Sequence, residues 1–150
     1  MPSPSSPPPG IRLALTGAPD PAARAAIGDG LDAYNIQQTG IADARALDVL
    51  VTDDAGDVIG GLVGRTSLGL FFVDLFYLPA SLRGRGVGAE VLTMAEAEAV
   101  RRGCSAAVLY TMAIQAPAFY ERRGYAAFGR IECDPPGNAR IFMHKELRLT

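Results

Sequence analysis

The sequence predicts an α/β (α+β) protein: one mixed sheet with helices on its faces. Short apolar runs of strand length outnumber the segments with helical periodicity. Turn signals such as Asp53-Asp-Ala-Gly-Asp57 and Asp134-Pro-Pro-Gly-Asn138 join strands directly, as antiparallel hairpins require. Further along, strands alternate with short helices, which makes βα units and a mixed sheet.

The elements follow in order. Met1 to Gly10 (MPSPSSPPPG) is rich in Pro and Ser and reads as a disordered leader. It has neither a basic n-region nor an apolar h-region, so it is not read as a signal peptide. Residues 11–150 then form a single domain, long enough for a full core. Ile11 to Leu15 alternates and is expected to be a first strand. Asp20-Pro21 is an N-cap with Pro at the first helical position. A helix should run from there to about Tyr34, weakened by Gly28 and Gly30, with Asn35 to Asp43 irregular. Ala46 to Thr52 and Val58 to Arg65 form a hairpin. Gly60-Gly61 inside it signals a bulge or the close approach of another group.

Leu68 to Leu78 is a long apolar strand broken by one charge, Asp74, and stopped by Pro79. Gly86 to Arg102 is a helix with an inner stripe of Val87, Val91, Met94, Ala95 and Ala99. Glu90, Glu96, Glu98, Arg101 and Arg102 are expected to face water, and Gly103 ends the helix. Cys104 to Thr111 is the next strand, Ala116 to Arg123 a short helix, and Tyr125 to Ile131 and Ala139 to Leu147 the closing strands. The order is β-α-β-β-β-α-β-α-β-β.

Composition narrows the chemistry. Of 150 residues, 49% are hydrophobic and 20% charged, and the net charge of −2 gives no positive field to recruit nucleic acid or an anionic membrane. No apolar run reaches the roughly 18 residues of a membrane span. Two scattered cysteines, Cys104 and Cys133, suggest neither a disulfide framework nor, with the single histidine, a zinc site. A reducing cytoplasm is the expected compartment, with no metal.

The stretch most in need of a ligand is Arg83-Gly-Arg-Gly-Val-Gly88, between a strand and a helix. Successive N–H groups at a helix N-terminus meet a pyrophosphate, and glycine lets the backbone approach it closely. A triphosphate-binding P-loop requires Lys and then Ser or Thr after its last glycine, but Ala89 and Glu90 follow here. A dinucleotide fingerprint needs a later third glycine and a carboxylate at the end of the next strand, which ends Tyr110-Thr111 instead. A ligand-free βα turn is the remaining alternative.

Arg83-x-x-Gly86-x-Gly88 after strand and Pro79 resembles the acyl-CoA signature of the GNAT N-acetyltransferase superfamily. Leu75-Phe-Tyr-Leu78-Pro79 resembles the strand that offers its backbone to the pantetheine arm. Gln115-Ala-Pro-Ala-Phe-Tyr120-Glu-Arg-Arg-Gly124-Tyr125 resembles the family's segment of Asn, helical Tyr and Gly-aromatic, with Gln115 in place of Asn. The likeness covers Asp48 to Leu147, and within it the chain looks like a small stand-alone bacterial member.

The resemblance implies a mostly antiparallel sheet of six to seven strands, splayed at its centre. It implies acetyl-CoA as co-substrate, bound by Phe76, Tyr77, Leu78, Arg83, Gly84, Arg85, Gly86, Val87, Gly88 and Gln115. The activity implied is direct acetyl transfer to a primary amine of a small molecule or peptide, with Tyr120 as proton donor to the thiolate. A non-catalytic CoA-binding sensor is the alternative, and a homodimer is compatible with the family.

Asp74, the lone charge in its strand, is two residues from Phe76 and by strand period on the same face. It is a candidate general base or an anchor for a cationic acceptor, the bland alternative being a salt bridge. His144, Cys104 and Cys133 read as structural. Acceptor specificity is expected from Leu31 to Thr39 (Tyr34, Asn35, Gln37, Gln38) and from Glu132 and the turn Asp134 to Asn138.

Overall fold

The structure is a computed structural model and describes residues 6–147. The first half of the expected leader, residues 1–5, lies outside the described residues. The chain divides into two compact units, Met1–Ala42 and Asp43–Thr150.

In the first unit, residues 6–19 are irregular, with a turn in which the Ile11 N–H donates to Pro8 O at 3.1 Å. The expected strand Ile11 to Leu15 does not form: among the described residues this stretch pairs with no other strand. Alternation says which side chains share a face but supplies no ladder partner. Helix α1 spans Pro21–Thr39, and the Asp20 carboxylate accepts from Ala22 N (3.0 Å) and Ala23 N (3.3 Å). It runs through Gly28 and Gly30 and past Tyr34, so Asn35 to Thr39 is helical rather than irregular. Each glycine costs only about 1 kcal/mol, too little to stop a capped, alanine-rich helix. The stop comes at Gly40, whose φ of 73° lets its N–H reach Ile36 O at 2.7 Å.

The second unit holds six strands: β1 (Arg45–Thr52), β2 (Val58–Ser67), β3 (Leu70–Tyr77), β4 (Ala106–Met112), β5 (Ala126–Cys133) and β6 (Asn138–Glu146). Their order in the sheet is β1-β2-β3-β4-β6-β5, and every neighbouring pair is antiparallel except β3 with β4. The β1–β2 turn forms where expected, with the Asp53 carboxylate accepting from Ala55 N and Asp57 N. A second hairpin turn at Leu68-Gly69 takes the first two residues of the expected strand, so β3 begins at Leu70. Both residues have positive φ, 50° and 83°, as a tight primed turn requires. Leucine there hid the turn from the sequence.

Helix α2 (Val87–Arg101) packs on β1, β2 and β3, and α3 (Pro117–Glu121) follows β4. The α2 residues Val91, Leu92, Ala95 and Ala99 meet Leu47, Leu62, Phe71 and Val73 in one core. Met94, expected inside, is 55% exposed, and Leu92 is buried in its place. The rest of the expected stripe holds: Val91, Ala95 and Ala99 are buried and Val87 packs against the core. Glu96 and Arg102 also turn inward, against expectation. Arg102 Nη1 donates to Ala46 O (2.9 Å) and Thr66 Oγ1 (3.1 Å). Its partners are far away in sequence, where helical period cannot show them.

The glycines of β2 explain how the sheet bends. A Cβ on Gly60 would lie 2.6 Å from Tyr77 O, and one on Gly64 would lie 2.6 Å from Phe72 O and 2.8 Å from the Phe71 ring. The β1–β2 register also shifts beside Gly60, so bulge and close approach occur together. The β2–β3 register shifts next: Val63 pairs with Leu75 and Gly64 with Val73, leaving Asp74 as the extra residue of a bulge.

Candidate active site

The β3–β4 ladder consists of three pairs, Leu70 with Ala106, Phe71 with Ala107 and Phe72 with Val108. Beyond them β3 stays with β2 as far as Tyr77, and β4 stays with β6 as far as Met112. The two parallel strands therefore part, and a gap opens towards their C-terminal ends. The bulge at Asp74 sits where the separation begins and gives β3 its extra bend.

The bulge also resets which side chains share a face. Phe71 and Val73 are buried in the α2-side core, and after the extra residue it is Phe76 that joins them. Asp74 is therefore not on the face of Phe76, as the two-residue period implied. It is exposed on the other face, where its carboxylate lies 3.4 Å from Arg65 Nε. The Arg65 guanidinium in turn lies over the Phe72 ring, 4.2 Å from its centroid.

At the mouth of the gap stands the glycine-rich loop. A single 3₁₀ turn, Ala80–Leu82, leads into it. Gly84 and Gly86 have φ of 71° and 81°, the left-handed region that a side chain would disfavour. Gly86 is the N-cap and brings no side-chain cap. Among the described residues nothing accepts from the N–H groups of Gly84, Arg85, Gly86, Val87, Gly88 and Ala89, and the first helical bond runs from Glu90 N to Gly86 O at 3.1 Å. Six free donors at a helix N-terminus suit a pyrophosphate well. Arg83 turns back, its Nε donating to Leu78 O at 3.2 Å, and so ties the loop to the end of β3. Arg85 is exposed beside the free amides. Gly88 lies so near α3 that a Cβ there would meet the Phe119 ring at 3.3 Å and Leu78 Cδ1 at 3.4 Å.

Tyr120 comes from α3. Its ring packs edge-on against Phe76 (6.4 Å between centroids), Phe119 (5.2 Å) and Tyr125 (5.7 Å). Burial pushes its pKa up to about 12, and among the described residues no acceptor meets its hydroxyl. Tyr125 beneath it is anchored: its hydroxyl donates to Glu96 Oε2 at 3.0 Å, and Lys145 Nζ lies 2.6 Å from Glu96 Oε1. Burial, then the Glu96 carboxylate, raises the Tyr125 pKa far above the ordinary phenol range. This Glu96–Tyr125–Lys145 cluster supports Tyr120 from below and escaped the sequence reading, since its members come from α2, the α3–β5 turn and β6.

Gln115 folds back on the end of β4. Its side-chain carbonyl accepts from Thr111 Oγ1 (2.9 Å) and Met112 N (2.8 Å). Asn138, read as a turn residue facing an acceptor, is 2% exposed. It holds the same loop, with Oδ1 accepting from Ile114 N at 3.3 Å and Nδ2 donating to Asp134 O at 3.1 Å. His144 is exposed against the Phe128 ring. Cys104 and Cys133 are free thiols, and burial pushes the Cys104 pKa up, which makes it a poor nucleophile. Cys104 lines a polar cavity of about 260 Å³ with Arg45, Arg101 and Arg102, at the ends of β3 and β4 away from the gap. No cluster of metal-binding side chains occurs among the described residues, and no described helix is long and apolar enough to cross a membrane.

A splayed parallel pair, an open amide cradle at its mouth and a tyrosine beside it meet at one end of the sheet. Residues 19–125 match the model of the acetyltransferase (GNAT) family. The chain belongs to that family, and it is an acyltransferase. It is 39% identical over 135 residues to an acetyltransferase of Agrobacterium fabrum, covering 90% of this chain and 98% of the relative. It is 36% identical over 116 residues to blasticidin-S acetyltransferase of Streptomyces morookaense, covering 75% and 85% of the two chains. A crystal structure from Agrobacterium tumefaciens, described as an acetyltransferase, superposes with a TM-score of 0.84 at 36% identity, covering 91% of this chain and 99% of the other.

Proposed function

We propose that the chain transfers an acetyl group from acetyl-CoA directly to a primary amine. The observation that carries this reading is the gap between β3 and β4 with the free amides of Gly84 to Ala89 at its mouth. In this reading those amides and Arg85 hold the pyrophosphate. The open edge of β3 from Phe76 to Leu78 holds the pantetheine arm, and Gln115 steadies the end of β4 opposite. Acetyl-CoA supplies the acetyl group as a thioester. The acceptor nitrogen forms the new C–N bond, the C–S bond breaks, and the surplus amine proton leaves to water. A backbone N–H near Phe76 or Tyr77 meets the developing oxyanion.

Tyr120 stabilises the departing sulfur. With its pKa near 12 it stays protonated at any physiological pH and acts as a fixed hydrogen-bond donor. Full proton transfer to a thiolate of pKa about 8.5 would be uphill. Asp74 lies on the face opposite Tyr120, in the splayed half of β3, and serves the acceptor side. Paired with Arg65, it anchors a cationic amine rather than acting as a strong base.

The test is titration calorimetry with CoA, followed by thiol release from acetyl-CoA across an amine panel. Because one relative acts on blasticidin S, that compound belongs in the panel with polyamines, aminoglycosides and N-terminal peptides. CoA binding together with amine-dependent thiol release is the expected result. No CoA binding would overturn the reading, and binding without release from any amine would favour the sensor module.

A further inference from the structure

We propose that the polar cavity at the closed end of the β3–β4 seam is a second binding site, for a small dianion of phosphate or dicarboxylate type. The inference does not depend on the coenzyme reading above. The cavity lies where the C-terminal end of α2 meets the start of β1 and the end of β2. Gly69 and Cys104, also on its wall, stand just before the first rung of the seam, Leu70 with Ala106. The gap opens at the other end of β3, on the order of 20 Å away at the rise of a strand. A volume of about 260 Å³ suits a small ion with its waters and is too little for a coenzyme.

The wall carries three arginines, Arg45, Arg101 and Arg102, against two carboxylates, Asp43 and Glu98, a surplus of one positive charge. Both carboxylates are already engaged. Asp43 Oδ1 accepts from Leu68 N at 3.0 Å in the β2–β3 turn. Glu98 lies 2.7 Å from Arg101 Nη2 and 3.1 Å from Arg102 Nε. The hydrogen bonds from Arg101 and Arg102 hold its carboxyl below the usual carboxylate range. The groups left over are donors. Arg45 meets no carboxylate among the described residues. The Arg102 side chain is only 14% exposed, and its Nε and Nη1 are bound to Glu98, Ala46 O and Thr66 Oγ1, which leaves Nη2 without an acceptor among the described residues. Arg45 stands directly across the β1–β2 ladder from Thr66, the residue that holds Arg102, so the two guanidinium groups are rooted side by side. Like charges placed together repel, and an oxyanion between them removes the repulsion while accepting from both forks. Arg102 is already fixed by the fold, so little of its freedom is lost on binding. The positive surplus disfavours a cation in the same place.

The experiment titrates the full chain, without coenzyme, with inorganic phosphate and separately with succinate, and follows backbone amide resonances. Sodium chloride at matched ionic strength is the control. The amides of Gly69, Cys104 and Ser105 report on the cavity, and those of Gly84 to Gly88 report separately on the glycine-rich loop. In wild type the cavity amides should shift saturably with at least one dianion. Phosphate alone, or succinate alone, tells which of the two chemistries the site takes, and saturation by both assigns recognition to charge. Arg45→Gln should melt with wild type, because its guanidinium meets no carboxylate in the fold, and should bind the dianion about tenfold or more weakly at the cavity while the loop amides respond as before. The wild-type titration stands by itself, whatever the stability of the variant. Shifts confined to the loop, shifts at the cavity no larger than those with chloride, or an affinity unchanged in Arg45→Gln would each overturn the proposal and leave the coenzyme reading untouched.

Discussion

Replacing Tyr120 with phenylalanine separates its chemical role from its packing role. The ring contacts to Phe76, Phe119 and Tyr125 survive the change. The lost hydroxyl is half-buried and meets no acceptor among the described residues, so its removal should leave stability within about 1 kcal/mol of wild type, or raise it. The rate should suffer much more. By analogy with removal of one oxyanion-hole donor, loss of a hydrogen bond to charge developing in the transition state costs about 10² to 10³ in kcat, near 3 to 4 kcal/mol. KM for acetyl-CoA should change little, since the hydroxyl meets sulfur only as charge develops there. The pH dependence is a second check. The folded pKa of about 12 lies above the ordinary value of about 10. The protonated phenol is thus favoured by folding, an advantage complete below pH 10 and lost as pH rises through 12. Two units correspond to about 3 kcal/mol, so wild type should lose about that much more stability across this interval than Tyr120→Phe, the loss due to Tyr125 being common to both. No limb of the kcat profile below about pH 10 should belong to Tyr120. Steady-state thiol release and alkaline melting test both points. A Tyr120→Phe enzyme within threefold of wild-type kcat would refute the reasoning.

Lys145→Met leaves Glu96 buried with only Tyr125 as partner, and chemical denaturation should show a loss of about 2 to 4 kcal/mol, below the full cost for a wholly buried pair because Lys145 retains some exposure. Gly64→Ala forces a Cβ against Phe72 O and the Phe71 ring; thermal melting should report at least about 2 kcal/mol lost, because a paired backbone cannot yield as a side chain does. Asp74→Asn removes an exposed ion pair worth under about 1 kcal/mol, so stability and CoA affinity should hold while kcat/KM for cationic amines falls; equal loss with neutral and cationic acceptors would count against an anchoring role.

Local signals carried much of this architecture. The Asp20 cap, the Asp53 hairpin turn and the glycine-rich entry to α2 act within a few residues, and each forms where its chemistry places it. The signals that failed needed distant information. Ile11 to Leu15 alternates like a strand, yet alternation cannot supply a pairing partner. Asp74 and Phe76 read as neighbours on one face because a period-two count cannot register an extra residue; the cause lies in β2, where bare glycines let the backbones close up. Glu96 read as a surface residue because its partners, Tyr125 and Lys145, are on other elements.

The short ladder between β3 and β4 has a mechanical meaning as well. The sheet is two three-stranded blankets, β1-β2-β3 and β4-β6-β5, stitched by three rungs at one end. Past the last stitch, the backbone groups of Val73 to Tyr77 and of Leu109 to Met112 that face the seam have no strand across from them. In the proposed reading a coenzyme arm lying there would stand in for the missing rungs, making ligand and sheet one hydrogen-bonded object. At a hundred times its dissociation constant a ligand adds about 2.7 kcal/mol to stability. Here that gain should concentrate along the seam, where amide exchange slows on loading while the outer strands keep their rates.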